Sequence, residues 1–330
     1  MKKDWSIGDL LATSSAYWKG CALQAAVRLG VFTAIHDERL HLAEITGRLD
    51  ADKRGMEYLL NALAAMGLLI KEDSVYSNSA TALEFLSKQS KRYMGHIILH
   101  HHHILDGWAQ LDQAVKTGAP VSKRSYGEEV ERESFLMGMF NLAMGNAPKI
   151  AAQVDLVGRT RLLDLGGGPG TYAIHFCQTN QQLSATIFDR VTTEPFARRT
   201  VDKFGLSDRI DFAGGDFNFD PILGGPYDVA WLSHILHSNG PDACKKLIKK
   251  TVGAMKPGGL ILIHEFILEN TKDAPEFAAL FSVNMLINNP EGRSYSRHEL
   301  TEMLEDAGVK DIAMHSFRGP NDSAILWGIV

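Results

Sequence analysis

The strongest constraint on the fold lies after Thr160, where short apolar runs alternate with helical stretches. The runs are Arg161-Leu162-Leu163-Asp164-Leu165, Ala185-Thr186-Ile187-Phe188-Asp189, Ile210-Asp211-Phe212, Asp228-Val229-Ala230-Trp231-Leu232 and Leu260-Ile261-Leu262-Ile263. Strands of this kind, separated by helices, predict a buried parallel sheet covered on both faces. Two later runs, at Lys310-Asp311-Ile312 and Ala324-Ile325-Leu326-Trp327, are close in sequence and are expected to pair antiparallel at an edge.

Directly after the first run comes Asp164-Leu165-Gly166-Gly167-Gly168-Pro169-Gly170, followed by the helical Thr171-Tyr172-Ala173-Ile174-His175-Phe176. Glycines at this place let the backbone pass close to a ligand and let a helix N-terminus approach it. A dinucleotide fingerprint would put glycine or alanine at 171, where Thr171 stands, so a nicotinamide oxidoreductase is disfavoured. No Gly-Lys-Ser/Thr follows, so a triphosphate cradle is unsupported. Asp189 ends the second run, 23 residues beyond Gly166, where a carboxylate can accept ribose hydroxyls. Asp216 follows the third run, with Phe217 beside it to stack on a base. Asp164, Asp189 and Asp216 all fall at the carboxyl ends of strands, where open α/β sheets bind ligands.

The half before about Ile150 is helical. Ala22, Ala25, Ala26 and Leu29, then Leu42, Ile45 and Leu49, then Leu59, Leu60, Leu63 and Met66 recur at helix spacing, with Gly30, Gly47 and Gly67 where these helices should stop. Leu68 to Ser77 reads as two short strands around a polar turn, which completes a winged-helix pattern. The third helix offers only Lys53 and Arg54 among Asp50, Asp52 and Glu57, and the chain carries a net charge of -5, so no nucleic-acid partner is expected and a packing or dimerisation unit is. Cys21, Cys177 and Cys244 form no C-x-x-C pair or zinc-ligand spacing and read as reduced thiols of a cytoplasmic protein. No stretch approaches the roughly 20 apolar residues of a membrane span, and the N-terminus lacks a signal-peptide core. The reading therefore has a dimerisation unit at 1–92, a helical connector and pocket roof at 93–156, and the sheet domain at 157–330. His100 to His103 lie in the connector. Consecutive helical positions point around the circumference, so the four cannot converge on one ion and are expected to fill surface or core, or singly to line a pocket.

The ordered set of motifs resembles the S-adenosylmethionine-dependent small-molecule O-methyltransferases, the family of plant caffeate- and acetylserotonin-type enzymes and of bacterial polyketide and carotenoid methyltransferases. The resemblance spans nearly the whole chain and includes Met255-Lys256-Pro257-Gly258-Gly259-Leu260 before the fifth strand and Gly292-Arg293-Ser294-Tyr295-Ser296. It implies a Rossmann-like seven-stranded class I methyltransferase sheet with an N-terminal winged-helix dimerisation domain, a homodimer, and S-adenosylmethionine as cofactor. Carried onto matching positions, it implies that Asp164, Gly166, Gly168, Asp189, Asp216, Phe217 and Ser233 bind the cofactor. Met139, Met285 and Asn289 would meet a small-molecule acceptor. Within Ser233-His234-Ile235-Leu236-His237, residue chemistry alone leaves His234 and His237 open as the base; the resemblance selects His237, with Glu265 as the acid that orients it.

Methyl transfer needs alignment of donor and acceptor, worth roughly 7–11 kcal/mol, and a positioned base, worth roughly 10²–10⁴-fold in rate. Histidine suits that role near neutral pH, and no metal is called for. The expected chemistry is O-methylation of an aromatic or conjugated metabolite; C- or N-methylation, or a cofactor-binding regulatory protein without transfer, are the alternatives on this fold. The pocket roof is expected from Trp108, Phe135, Met139, Phe140 and Met144. Two departures stand out: Ser238-Asn239 replace the Asp-Trp that follows the family's histidine, and Ser294 stands where plant-type enzymes carry a second glutamate.

Overall fold

The computed structural model describes residues 4–121 and 128–330. The chain divides into two compact units, the first comprising the described residues of Met1–Leu105 and Arg124–Asn141, the second those of Asp106–Lys123 and Leu142–Val330. The connector expected at 93–156 is thus shared between the units. Its continuous helical texture is broken into helices Gly95–His103, Leu105–Trp108, Leu111–Thr117 and Glu128–Gln153.

In the second unit seven strands form one sheet. They are β4 (Arg161–Leu165), β5 (Ser184–Asp189), β6 (Ile210–Gly214), β7 (Tyr227–Ser233), β8 (Met255–Glu265), β9 (Lys310–Arg318) and β10 (Ala324–Ile329), in the order β6-β5-β4-β7-β8-β10-β9. Strands β4 to β8 are parallel, whereas β10 runs antiparallel to both β8 and β9, which makes β9 the edge. Side-chain alternation explains the continuous apolar runs. Leu162, Val229, Trp231, Leu260 and Leu262 enter the core on one face, and Leu163, Leu165, Ala230, Leu232, Ile261 and Ile263 the core on the other. Asp164 shares the parity of Leu162, so its carboxyl is set among buried apolar groups at 1 % exposure. Strand β8 begins earlier than its apolar stretch indicates, because Met255 already pairs with Tyr227 and Gly258 donates to the Val330 carbonyl.

In the first unit β1 (Leu40–His41), β2 (Leu69–Glu72) and β3 (Val75–Asn78) form a small antiparallel sheet in the order β1-β3-β2, joined to helices Tyr17–Leu29, Leu42–Leu49 and Lys53–Ala65. Phe32, Ile35, Ile45, Leu60 and Leu63 fill its core. Gly30 ends the first of these helices with φ 80°, but Gly47 lies inside Leu42–Leu49, where Asp50 takes the left-handed turn instead. His100 is half-buried with its ring 5.4 Å from that of Phe135, and desolvation lowers its pKa to about 4. Of the four histidines His101 is exposed and the others are half-buried, so the run is divided between surface and packing contacts within this unit. Ile7, Leu10, Leu11, Tyr17 and Trp18 are exposed. No helix among the described residues is long and apolar enough to cross a membrane.

At the entry of the central strands, Asp228 Oδ2 accepts from the Thr160 and Arg161 amides, each 2.9 Å, and from the Thr160 hydroxyl, while Oδ1 meets Lys256 Nζ at 2.9 Å. Burial alone would raise the pKa of this carboxyl; Lys256 and the donated hydrogen bonds outweigh it and hold the group well below the usual carboxylate range. Its contribution to stability is present above the unfolded value and fades as pH falls toward the folded one. Asp228→Asn is expected to cost roughly 2 kcal/mol at pH 7 in urea unfolding. The deficit relative to wild type should shrink steadily below about pH 4.

Candidate active site

The register of the parallel strands brings four carboxyl ends to one rim, with Leu165 opposite both Phe188 and Leu232, and Ser233 opposite His264. The glycine turn leaves β4 at that rim. Its Gly166 amide donates to the Phe188 carbonyl at 2.8 Å, and Gly166, Gly168 and Gly170 all have positive φ. A β-carbon on Gly166 would stand 2.5 Å from Ile235 Cγ2 and 3.3 Å from Phe217 Cε1, whereas one on Gly168 would meet nothing within 4 Å. The turn is therefore packed tightly on one side and open on the other. It also touches both Phe217 and the segment that carries the histidines.

Two carboxylates lie beneath it. Asp164 Oδ2 accepts from the Ala173 amide at 3.1 Å, but its buried Oδ1 has no hydrogen-bond partner among the described residues. Burial, and after it the neighbouring Asp189, push the Asp164 pKa up to about 7 against the pull of the Ala173 hydrogen bond. Asp189 Oδ1 accepts from the Arg190 amide and the Thr193 hydroxyl, and its Oδ2 from the Gly168 amide at 2.8 Å. Burial raises its pKa as well, opposed by those same bonds and by the Arg190 charge. Thr193 had no signal in the sequence beyond lying close after Asp189. Asp216 Oδ1 accepts from Asn218, and Phe217 is half-buried against the core.

After β7, a 3-10 turn at Leu236–Ser238 carries His237. Glu265, at the end of β8 and 4 % exposed, holds that turn from beneath: Oε1 accepts from the amides of Leu236 at 2.9 Å and His237 at 3.4 Å, and Oε2 lies 2.9 Å from His237 Nδ1. Burial alone would raise the Glu265 pKa; the two histidines outweigh it and hold the carboxyl well below its usual range. His234 Nδ1 also faces Oε2, at 3.5 Å. The His237 ring meets Phe281 edge-on at 4.9 Å, and Phe281 packs with Phe266 at 4.7 Å. These phenylalanines escaped sequence reasoning because aromatic residues on a strand end and a helix read equally well as core.

Other expected positions are already engaged. The Ser233 hydroxyl lies 3.0 Å from His264 Nδ1, and the far side of that buried ring meets Ser323. Burial takes the His264 pKa well below its ordinary value, so this ring is a neutral structural link. Asn289 donates to the Ser238 carbonyl and accepts from Glu291 and Gly292, which braces the turn of His237. Met285 is half-buried on helix Glu276–Asn288, and Ser294 is buried with its hydroxyl donating to the Ala278 carbonyl. Met139 falls in the first unit, half-buried on helix Glu128–Gln153. The expected roof residues are divided likewise: Phe135 packs in the first unit, whereas Trp108 bonds Asn284 at 3.1 Å and Met144 meets His175 in the second.

Known proteins resemble this one over nearly the whole chain. A model of the O-methyltransferase domain matches residues 102–310, and one of the O-methyltransferase dimerisation domain matches residues 11–88. The chain belongs to the O-methyltransferase family. It is 34% identical over 323 residues to the 3-hydroxy-5-methyl-1-naphthoate 3-O-methyltransferase of Streptomyces sahachiroi, covering 96% of this chain and 93% of that protein. Identity is 32% over 326 residues to the tetracenomycin polyketide synthesis 8-O-methyl transferase TcmO of Streptomyces glaucescens, covering 96% of each. The solved structure of an O-methyltransferase family protein from Burkholderia thailandensis superposes with a TM-score of 0.88 at 26% identity, over 99% of this chain and 98% of that one.

Enzymes of this family draw the methyl group from S-adenosylmethionine, and the strand-end residues of this O-methyltransferase fit such a cofactor. A buried carboxylate with an orphaned oxygen, whose ionisation a half-buried neighbour opposes further, suits a cationic nucleoside, and the open side of Gly168 leaves backbone room beside them. Without a cation, ionising Asp164 opposes folding, and the penalty appears as pH rises from the ordinary carboxylate value toward about 7. Asp164→Asn is therefore expected to be as stable as wild type near pH 4 and more stable above pH 7, by up to about 4 kcal/mol. Calorimetric titration should show the same variant binding S-adenosylmethionine more weakly.

Proposed function

We propose that this O-methyltransferase methylates a hydroxyl of a small aromatic or conjugated acceptor, with His237 as general base. The observation that carries the reading is the buried pair of His237 Nδ1 and Glu265 Oε2, 2.9 Å apart, on a segment whose Ile235 packs against the glycine turn. Cofactor turn and base thus share one rim of the sheet.

Bound S-adenosylmethionine supplies a methyl group activated by its sulfonium charge. Gly166 and Gly168 would pass beside the methionine part, and Asp164, with its unpartnered Oδ1, would be available to that cation. Asp189, whose Oδ2 keeps a lone pair after the Gly168 amide, would accept a ribose hydroxyl, and Asp216 and Phe217 would hold the adenine. Ser233 borders the site from the end of β7. Glu265 keeps His237 in the tautomer with its proton on Nδ1, so that Nε2 is free to take the acceptor's proton. The charge that develops on the ring then faces a carboxylate that is already ionised. Ser294 provides no second carboxylate, so orientation of the base depends on Glu265 and on the brace from Asn289. The edge of Phe281 against His237 supports a flat acceptor at this place, with Met285 beside it.

The exposed Ile7, Leu10, Leu11, Tyr17 and Trp18, next to or within the matched dimerisation domain, support a homodimer formed through the N-terminal unit.

His237→Ala is expected to lose roughly 10²–10⁴-fold in turnover, measured with labelled S-adenosylmethionine and a panel of polycyclic phenols. Cofactor affinity should be retained in that variant and weakened in Asp189→Ala. Wild-type turnover by His237→Ala on the acceptor it methylates would overturn the assignment of the base.

A further inference from the structure

Glu265 Oε2 faces two imidazoles, and the proposed reaction uses one of them. The Nδ1 atoms of His237 and His234 stand 2.9 and 3.5 Å from it, and the three donor groups lie within 4.8 Å of one another. His234 Nδ1 is shielded from solvent and has no hydrogen-bond partner among the described residues. Its backbone has φ 55°, a left-handed conformation that side chains rarely adopt and that persists only where the surroundings impose it. Here the His234 amide donates to the His264 carbonyl at 2.9 Å, and its ring is held between those of His264 at 4.6 Å and Phe266 at 4.5 Å. A strained backbone thus holds a nitrogen that makes no short hydrogen bond 3.5 Å from a buried, ionised carboxylate.

We infer that His234, His237 and Glu265 form a binding site for a divalent first-row transition ion, Zn²⁺ foremost, and that the ion inhibits the enzyme. Two imidazole nitrogens and one carboxylate oxygen are a donor set such ions take, whereas Ca²⁺ and Mg²⁺ require oxygen shells that these residues do not offer. Metal–donor bonds of about 2.0–2.2 Å place neighbouring donors of a tetrahedral shell about 3.3–3.5 Å apart. The separations of 2.9 and 3.5 Å from Oε2 to the two nitrogens are near that spacing, and the donors, all within 4.8 Å of one another, would close on the ion by side-chain rotation. Solvent supplies the remaining ligand.

Inhibition follows from the tautomer and rests on the reading of His237 as base. Coordination through Nδ1 displaces the ring proton from that atom to Nε2, with no change in the net number of protons. Nε2 is the nitrogen that must be unprotonated to accept the acceptor's proton. The ion also occupies the carboxylate oxygen that would balance charge on the ring.

Binding and inhibition are separable by experiment. Titration of the whole enzyme with Co²⁺ alone is expected to give visible d–d bands that saturate at one ion per chain and bleach on addition of Zn²⁺. His234→Asn, chosen because asparagine tolerates left-handed backbone, should lose those bands. Zn²⁺ should inhibit the wild type reversibly, with EDTA restoring turnover. Against its own metal-free rate, His234→Asn should need more Zn²⁺ for the same inhibition, by at least the roughly tenfold that even an outer-shell partner is worth. Absence of d–d bands, bands unchanged in His234→Asn, or thiolate charge-transfer bands that place the ion on cysteine would overturn the site. Bands that saturate while turnover stays unchanged would keep the ligand set, overturn inhibition and count against His237 as the base.

Discussion

The interaction on which the site depends is the grip of one buried carboxylate on the turn after β7. Glu265 accepts from two successive backbone amides with one oxygen and faces the His237 ring with the other. A charged acceptor makes such hydrogen bonds shorter and stronger than neutral ones, and a low-dielectric setting increases their weight. The same group thereby fixes the backbone that carries the imidazole and the rotation of the imidazole itself. Because Glu265 is anchored in a strand paired on both sides, its position is as rigid as the sheet.

The opposite half of the rim has a different physical character. There burial disfavours both Asp164 and Asp189 as anions, and backbone amides, Thr193 and the Arg190 charge offset this only in part. A fold that keeps two such groups beneath a glycine turn holds an uncompensated electrostatic demand, which a cationic ligand meets. The protein is thus less stable than it could be at the place proposed for its cofactor, in keeping with the general antagonism between local stability and function.

Much of this architecture was legible in the sequence. The five apolar runs became the parallel strands because their period-two faces match two separate cores, and Asp164, Asp189 and Asp216 fell at strand ends as their positions required. Less was legible where local pattern is ambiguous. Gly47 has the composition of a helix stop but sits inside the helix, since Asp50 can adopt the left-handed turn itself. Met255 to Gly259, with its proline and glycines, reads as lying before the fifth strand, yet pairing with Tyr227 and Val330 extends β8 through it. Asn289, read as an acceptor contact, has its amide group taken up by backbone groups around His237, a fact that only the neighbouring loop reveals.

The sequence by itself determined the fold class, the glycine turn and the residue types available for chemistry, because periodicity and glycine spacing act over a few residues. Tertiary structure alone decided which partners those residues have. His234 and His237 are chemically alike and three positions apart; the register that sets Ser233 opposite His264 delivers Glu265 to 2.9 Å from one ring and 3.5 Å from the other. That difference depends on the pairing of β7 and β8, contributed by segments about thirty residues apart, and no local pattern encodes it.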